Sequence, residues 1–387
     1  MLAERDYTYT DTSGADTGLR DSMTDPVTGT TTHYTYDGMN RLHTANDGAT
    51  AYTATYDQTG NRTSLAQTGQ ASTYAAYNDA DQLCWTATSS AACTAPPTGA
   101  NLDGYDSSGN QTSAGSDTTT VNVFNQVSSI QTGGVTTHFT YADTSNTERI
   151  SSAATNFING TLGVTSQTSA GTTIEYTRDP AGNLISMSTA GTDYYYTADA
   201  IGSIILLTDP NQNTAATYTY NPFGLAIHTG SLADTNPWQY AGSYHDAATG
   251  LDKMGARYYN PSTGRFTQPD PSHQEQNNYT YAGDDPIDNT DPRGLGGFWN
   301  SVGDIVIGVA ATVAVATICA GTGGIGCIAA GVVYGAAAAT ATGVLNGDSG
   351  WGLVQDGAVG GVVGGFAAGI GAWYSGAWAT PGAHSAG

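Results

Sequence analysis

Basic charge is what this sequence has least of. Ten Lys+Arg stand against 33 Asp+Glu, for a formal net charge of −23, and Lys253 is the single lysine. A chain this acidic offers little to replace the counterions of a phosphate backbone, so nucleic acid is disfavoured as a partner. Charge of either sign is scarce too, at 11% of residues against about 25% in ordinary globular proteins. Thr, Ser, Gly, Ala and Tyr fill the gap. That is the composition of a β-rich, turn-rich extracellular protein and not of a cytosolic helical enzyme. The opening residues "MLAERDYTYT" lack the apolar core of a secretory signal. They read as the middle of a strand pattern, so the expectation is a fragment of a longer protein, with any export information upstream.

Cysteine is limited to four residues in two local pairs, Cys84 with Cys93 and Cys319 with Cys327. Neither pair has the C-x-x-C spacing of a zinc or redox motif. A short-loop disulfide suits each pair and an oxidising compartment. The alternative is that they are free, small hydrophobic side chains, above all in the apolar second pair. No His/Cys cluster suggests a metal site, and no cofactor is expected.

Repeats are what the sequence does contain. "YTYDGMNRL" starts at Tyr34, "ATYDQTGNRTSL" at Ala54, "AAYNDADQL" at Ala75, "GYDSSGNQTS" at Gly104 and "EYTRDPAGNLIS" at Glu175. Degenerate copies start at Asn122 and His138, and adjoining clear copies are spaced by about twenty to thirty residues. Tyr and Thr alternate with period two, which favours a strand. Asp then begins a turn, and Gly-Asn supplies positions that tolerate positive φ. A second strand follows. One such hairpin is not stable alone in water, but hairpins paired side by side make a long continuous sheet.

The pattern Y-x-x-D-x-x-G-N resembles the tyrosine-aspartate (YD) repeat of the Rhs family of bacterial polymorphic toxins, shared with Tc toxin C components and teneurins. The resemblance implies an all-β fold in which an antiparallel sheet spirals into a shell. It gives the tyrosines and turn aspartates structural work and no chemistry.

From Tyr218 the pattern tightens into "YNPFG", "TGL", "GARYYNPSTGRF", "QPDP", "NNYTYAGDDP" and "DPRGL". This ordered set closely resembles the Rhs-repeat-associated core domain. The tail motif P-x-x-x-x-D-P-x-G-L is complete as Pro286, Asp291, Pro292, Gly294 and Leu295. The resemblance implies that the core domain plugs the shell and cuts its own chain after Leu295, at the Leu295–Gly296 bond. By motif, the arginine of an aspartyl-protease-like site is Arg257 and the carboxylates are Asp270 and Asp291. Two carboxylates that approach each other share a proton, so one serves as general base and the other as general acid. A tethered substrate supplies effective concentration, and the chemistry requires no metal or cofactor. Read alone, each Asp-Pro is only a turn starter. Arg265, Asp285 and Asp288 stay open as competitors on spacing.

Beyond Arg293 there is no Lys or Arg, and no charged residue lies between Asp304 and Asp348. Ile305–Ala320 and Ile325–Leu345 are candidate apolar helices and Gly357–Trp378 a weaker third. Glycines four apart, such as Gly361, Gly365 and Gly369, suit close helix packing in lipid. The segment reads as membrane-inserting, as a plug buried against the shell, or as a glycine-rich spacer. There is no H-x-E with P-C-x-x-C, no HNH-like cluster and no G-x-S-x-G.

The expected organisation is a β-shell fragment (1–220), a self-cleaving core-plug domain (221–295) and a Gly/Ala-rich, α-helical hydrophobic segment (296–387). The expected role is toxin delivery in inter-bacterial competition, from a secreted or cell-surface location. The expected partners are the chain's own C-terminal segment, a target membrane and an immunity protein. The rival is a surface adhesion protein that binds saccharide or neighbouring cells and never cleaves. A degraded gene fragment without activity is the third reading.

Overall fold

The structure is a computed structural model that describes residues 3–10, 13–144, 147–296 and 299–300. Cys319, Cys327 and the apolar segments beyond residue 300 lie outside the described residues. Residues Met1–Asn300 form one compact unit.

Twenty-two strands, from Asp6–Thr8 to Ala226–Thr229, make one sheet. Successive strands pair antiparallel, as in Ala51–Tyr56 with Arg62–Gln67 and Thr172–Arg178 with Leu184–Thr189. The sequence explains the turns between them. In the turn after Ala51–Tyr56, Asp57 Oδ1 accepts from the Thr59 amide at 3.0 Å and the Asn61 amide at 2.9 Å. Asn61 Nδ2 donates back to Asp57 Oδ2 at 2.9 Å. Gly60, at φ +89°, supplies the left-handed position. Asp106–Asn110, Asp179–Asn183 and Asp209–Asn213 repeat the exchange. At the exposed last copy, the Asn213 side chain holds the Asp209 carboxyl below its ordinary value. The same turn, built on Asn221, joins Thr214–Tyr220 to Ala226–Thr229, which carries the sheet past residue 220.

The repeat tyrosine has a defined task. Tyr56 OH donates to the Leu42 carbonyl, Tyr77 OH to Arg62, Tyr141 OH to Val127 and Tyr220 OH to Ile204, at 2.7–3.0 Å. Each tyrosine thus satisfies a carbonyl in the previous repeat, and burial keeps the phenols of Tyr56 and Tyr220 neutral by pushing their pKa values well up. Tyr56→Phe leaves the Leu42 acceptor unsatisfied and is expected to cost about 1 kcal/mol, read as a lower urea midpoint at unchanged slope.

The sheet curls around residues 236–296. Ile287 packs on Tyr34 and Leu42, Tyr258 on Val127 and Phe139, and Trp238 with Tyr176 and Tyr218. These inner partners span early, middle and late strands, which a flat sheet could not bring to one segment. The first strand also returns beside a late turn, because the Ala200 amide donates to Tyr7 OH at 3.2 Å. Inside, Tyr244–Asp246, Leu251–Met254, Arg257–Asn260 and Arg265–Phe266 form a four-stranded antiparallel sheet. Its aromatic centre is Tyr240, Tyr259, Phe266 and Tyr281. Cys84 and Cys93 form a disulfide with Cα atoms 5.5 Å apart.

Among the described residues, no helix is long and apolar enough to cross a membrane.

Candidate functional site

The turn between Leu251–Met254 and Arg257–Asn260 creates the site. Gly255 sits at φ +49°, and a Cβ there would lie 2.0 Å from the Arg293 carbonyl oxygen. The backbone of "DPRGLG" therefore lies directly on this turn, fixed by the Ala256 amide donating to Arg293 O at 2.8 Å. Gly294 interlocks from the other side, since a Cβ would meet Met254 O at 2.3 Å. Only glycine fits either position.

This seating brings Arg257 against the tail. Its Nη2 pairs with Asp291 Oδ2 at 2.8 Å, its Nε donates to Gly294 O at 2.8 Å and its Nη1 to Asn278 O at 3.0 Å. Phe266 covers the guanidinium, 3.6 Å from ring centroid to Cζ. Exposure is 1% for Arg257, 2% for Asp291 and 0% for Asp270. Their interactions therefore act at low dielectric. Burial lowers the Arg257 pKa, and attraction to Asp291, Asp270 and Glu275 opposes that shift.

The Leu295–Gly296 peptide lies between the two carboxylates. Asp291 Oδ1 accepts from the Leu295 amide at 3.2 Å, and Asp291 Oδ2 from the Gly296 amide at 3.0 Å. On the opposite flank, Ser272 Oγ makes a very short contact with Leu295 O. The same hydroxyl lies 2.8 and 2.7 Å from the two oxygens of Asp270. The Asp270 carboxylate also accepts from the Ser272 amide at 2.9 Å and the Gln274 amide at 3.1 Å. Asn278 O ties the two flanks, because it accepts from the Asp270 amide at 2.8 Å as well as from Arg257. Gly296 is at φ +66°, and a Cβ there would lie 2.7 Å from both Asp270 Oδ2 and Glu275 Cγ.

Arg257, Asp270, Asp291, Leu295 and Gly296 are thus brought together. Two of the competitors are engaged elsewhere, and the third, Asp285, is buried with no hydrogen-bond partner for its carboxyl oxygens among the described residues. Arg265 binds Asn61 Oδ1 and Asp81 O and lies over the Tyr77 and Tyr279 rings. Asp288 pairs with Arg20 at 3.3 Å and accepts from Tyr36 OH at 2.9 Å. The Asp285 carboxyl is raised to about 8, by burial and by the charge of Asp288. Sequence reading missed Ser272, Asn278, Glu275 and Gly255. The signal for Ser272 was local: a Ser two residues after Asp begins an Asx turn that folds its hydroxyl back on the carboxylate. Among the described residues, no group of three or more His, Cys, Asp and Glu side chains could hold a metal ion.

Asp284, beside the site's supports, gives a pH prediction. Burial raises its carboxyl to about 8, partly offset by Arg41, Arg265 and Arg62. The folded chain therefore keeps this proton to about pH 8, while the unfolded chain releases it near the ordinary carboxyl value of 3.8. Between these values folding takes up a proton, so this group's stability contribution is full below the lower value and falls as pH rises. In Asp284→Asn, the fall in melting temperature between about pH 4 and 8 is expected to be shallower than in the wild type, checked by thermal unfolding across that range.

Comparison with known proteins agrees with the repeats. A family model described as teneurin YD-shell matches residues 23–287. The tRNA3(Ser)-specific nuclease WapA of Bacillus spizizenii is 30% identical over 281 residues, covering 67% of this chain and 12% of the relative. The tRNA nuclease WapA of Bacillus subtilis (strain 168) gives the same identity and the same coverage. The chain thus spans 12% of the length of each of these two relatives. The salivary gland surface protein 1 of Aedes aegypti is 41% identical over 81 residues, which is 20% of this chain and 2% of that protein. Among solved structures, TcdB2-TccC3-TEV superposes with a TM-score of 0.45 at 17% identity, over 76% of this chain and 17% of that one. A meander of Tyr-Asp-x-x-Gly-Asn hairpins, matched by that family model over most of its length, makes this chain a member of the YD-shell (Rhs/YD-repeat) family.

Proposed function

We propose that this chain is the C-terminal part of an Rhs/YD-repeat polymorphic toxin that cuts itself after Leu295. The observation that carries the reading is the seating of one peptide bond. The Leu295–Gly296 amide donates to Asp291, its carbonyl oxygen meets the Ser272 hydroxyl held by Asp270, and Arg257 holds Asp291. That arrangement suits attack by water with one carboxylate as base and the other as acid. The bond is already in place, so proximity supplies much of the rate. The YD shell through residue 229, residues 230–295 as plug, and residues 296–387 as cargo make the three parts of the reading. A secreted or surface location and an immunity partner belong to the same reading, as the Rhs/YD-repeat resemblance implies.

The tRNA nuclease activity named for those relatives is not part of the proposal. Residues 294–387 contain no Lys or Arg to meet a phosphate backbone. A membrane is the proposed target of that segment. The test is a denaturing gel of the full chain: two fragments, the smaller beginning at Gly296, support the reading. An intact band from folded protein overturns it. Dye release from lipid vesicles by the cleaved preparation, and none by an uncleaved variant, would support the membrane target.

A second reading, surface adhesion without cleavage, has an observation of its own. A groove of 560 Å³ beside the Cys84–Cys93 loop is lined by Tyr74, Tyr77, Asp57, Thr63 and Ser64. Aromatic faces beside hydroxyl groups suit a saccharide, and the mosquito relative is named as a surface protein. Glycan-array binding by intact, uncut chain would favour it.

A further inference from the structure

We propose that Ser272 is a catalytic residue of the self-cleavage, relaying the Asp270 proton to the Leu295 carbonyl oxygen; the proposal rests on the self-cleavage reading and assigns acid and base within it. A count of protons carries it. Ser272 Oγ has one hydrogen, yet it lies within hydrogen-bond reach of Leu295 O and of both Asp270 oxygens. Neither the carbonyl nor an ionised carboxylate can donate. If Ser272 gave its hydrogen to an ionised Asp270, its lone pairs would face those of Leu295 O with no proton between them. Two favourable bonds need two protons, so Ser272 donates to Leu295 O while Asp270, as the carboxylic acid, donates to Ser272.

The surroundings of the two carboxyl groups agree with this division. Asp291 holds a guanidinium and two amide donors. Asp270 holds two amide donors and the hydroxyl, with no cation bonded to it among the described residues. A bonded guanidinium favours the ionised form of a carboxyl group, and of the two only Asp291 has one. Asp270 is then the acid and Asp291 the base.

The step balances with water as the only added reactant. A water oxygen attacks the Leu295 carbonyl carbon, and its proton passes to the Asp291 carboxylate. The carbonyl π pair moves to oxygen, which takes the Ser272 proton while Ser272 takes that of Asp270. The C–N bond breaks, its electron pair goes to the Gly296 nitrogen, and that nitrogen takes the proton from Asp291. The proton on the former carbonyl oxygen returns through Ser272 to Asp270, leaving an acid at Leu295 and an amine at Gly296. Ser272 is not the nucleophile in this scheme, because its hydroxyl meets the carbonyl oxygen and not the carbon.

The experiment follows cleavage of the full chain during cell-free synthesis, for wild type, Ser272→Ala and Ser272→Thr, with melting temperatures of the products. Loss of one donor to a developing oxyanion slows such reactions by about 10²–10³-fold. Slowing of that size in Ser272→Ala, with Ser272→Thr within about tenfold of wild type, supports the relay. Cleavage of Ser272→Ala at the wild-type rate overturns it and leaves the two-carboxylate reading standing. Two folded variants that are equally inert also overturn it, since Ser272→Thr keeps the hydroxyl and its failure would make packing at position 272 decisive. An uncut wild type removes the self-cleavage reading itself.

Discussion

Asp291→Asn leaves the chain in one piece. The substitution keeps the shape of the side chain and removes its capacity to take a proton. As the partner of Arg257 and the acceptor for both amides of Leu295 and Gly296, Asp291 is the group best placed to activate water at that carbonyl. General acid–base groups contribute about 10²–10⁴-fold, and a loss within that range is expected. The readout is the fraction cut over time on a denaturing gel, with Asp209→Asn, an exposed turn carboxyl, as the control that cuts normally. Wild-type cutting by folded Asp291→Asn would sink the assignment.

Arg257→Met is expected to lower stability by about 3–5 kcal/mol, the range for a buried ion pair robbed of one partner. Asp291 would keep a buried charge without its cation. The Gly294 carbonyl would lose its Arg257 donor and the Asn278 carbonyl one of its two donors. Methionine fills much of the volume over Phe266, so the loss reports on charge and hydrogen bonds more than on a void. The measurement is urea unfolding in an Asp270→Asn background, which keeps the chain whole. Adding Asp291→Leu to Arg257→Met should recover part of the loss, because it removes the stranded carboxylate. A loss under about 1 kcal/mol would place the pair among weak surface-like contacts.

The shell was legible in the sequence because its code is local. A Tyr-Thr alternation, an Asp and a Gly-Asn four residues later each act within one hairpin, and the structure uses them that way at Asp57–Asn61. The end of the sheet was less legible. "YNPFGL" builds the same turn with Asn221 in place of Asp, so a boundary at 220 falls inside the last hairpin. The site was legible only through the order of its motifs. Asp270, Asp285 and Asp291 all precede a proline, and nothing local separates them. What distinguishes them is which distant partner each one meets. Arg265 is bound to Asn61 and Asp81, some two hundred residues away in the chain, and Arg257 is bound to the tail. Gly255 was unreadable for the same reason, since it is required by a backbone from another part of the chain, and the tail motif supplied Gly294 without showing that Met254 is what it meets.

The anchors that tie residues 277–288 to the surrounding sheet have a consequence for timing. Asn277 donates to Asn61 and Thr59, Tyr279 OH to Gly109, and Asp288 pairs with Arg20. These contacts join the last-synthesised part of the shell unit to some of the first. Pairings of such long sequence separation form late, after the intervening chain has folded. A ribosome therefore releases a shell whose strands can pair hairpin by hairpin as they emerge, while the pocket around Leu295 stays unassembled until residues 255–296 find a finished wall to lean on. The site reads completion: it comes together only on a molecule whose earlier strands are already in place.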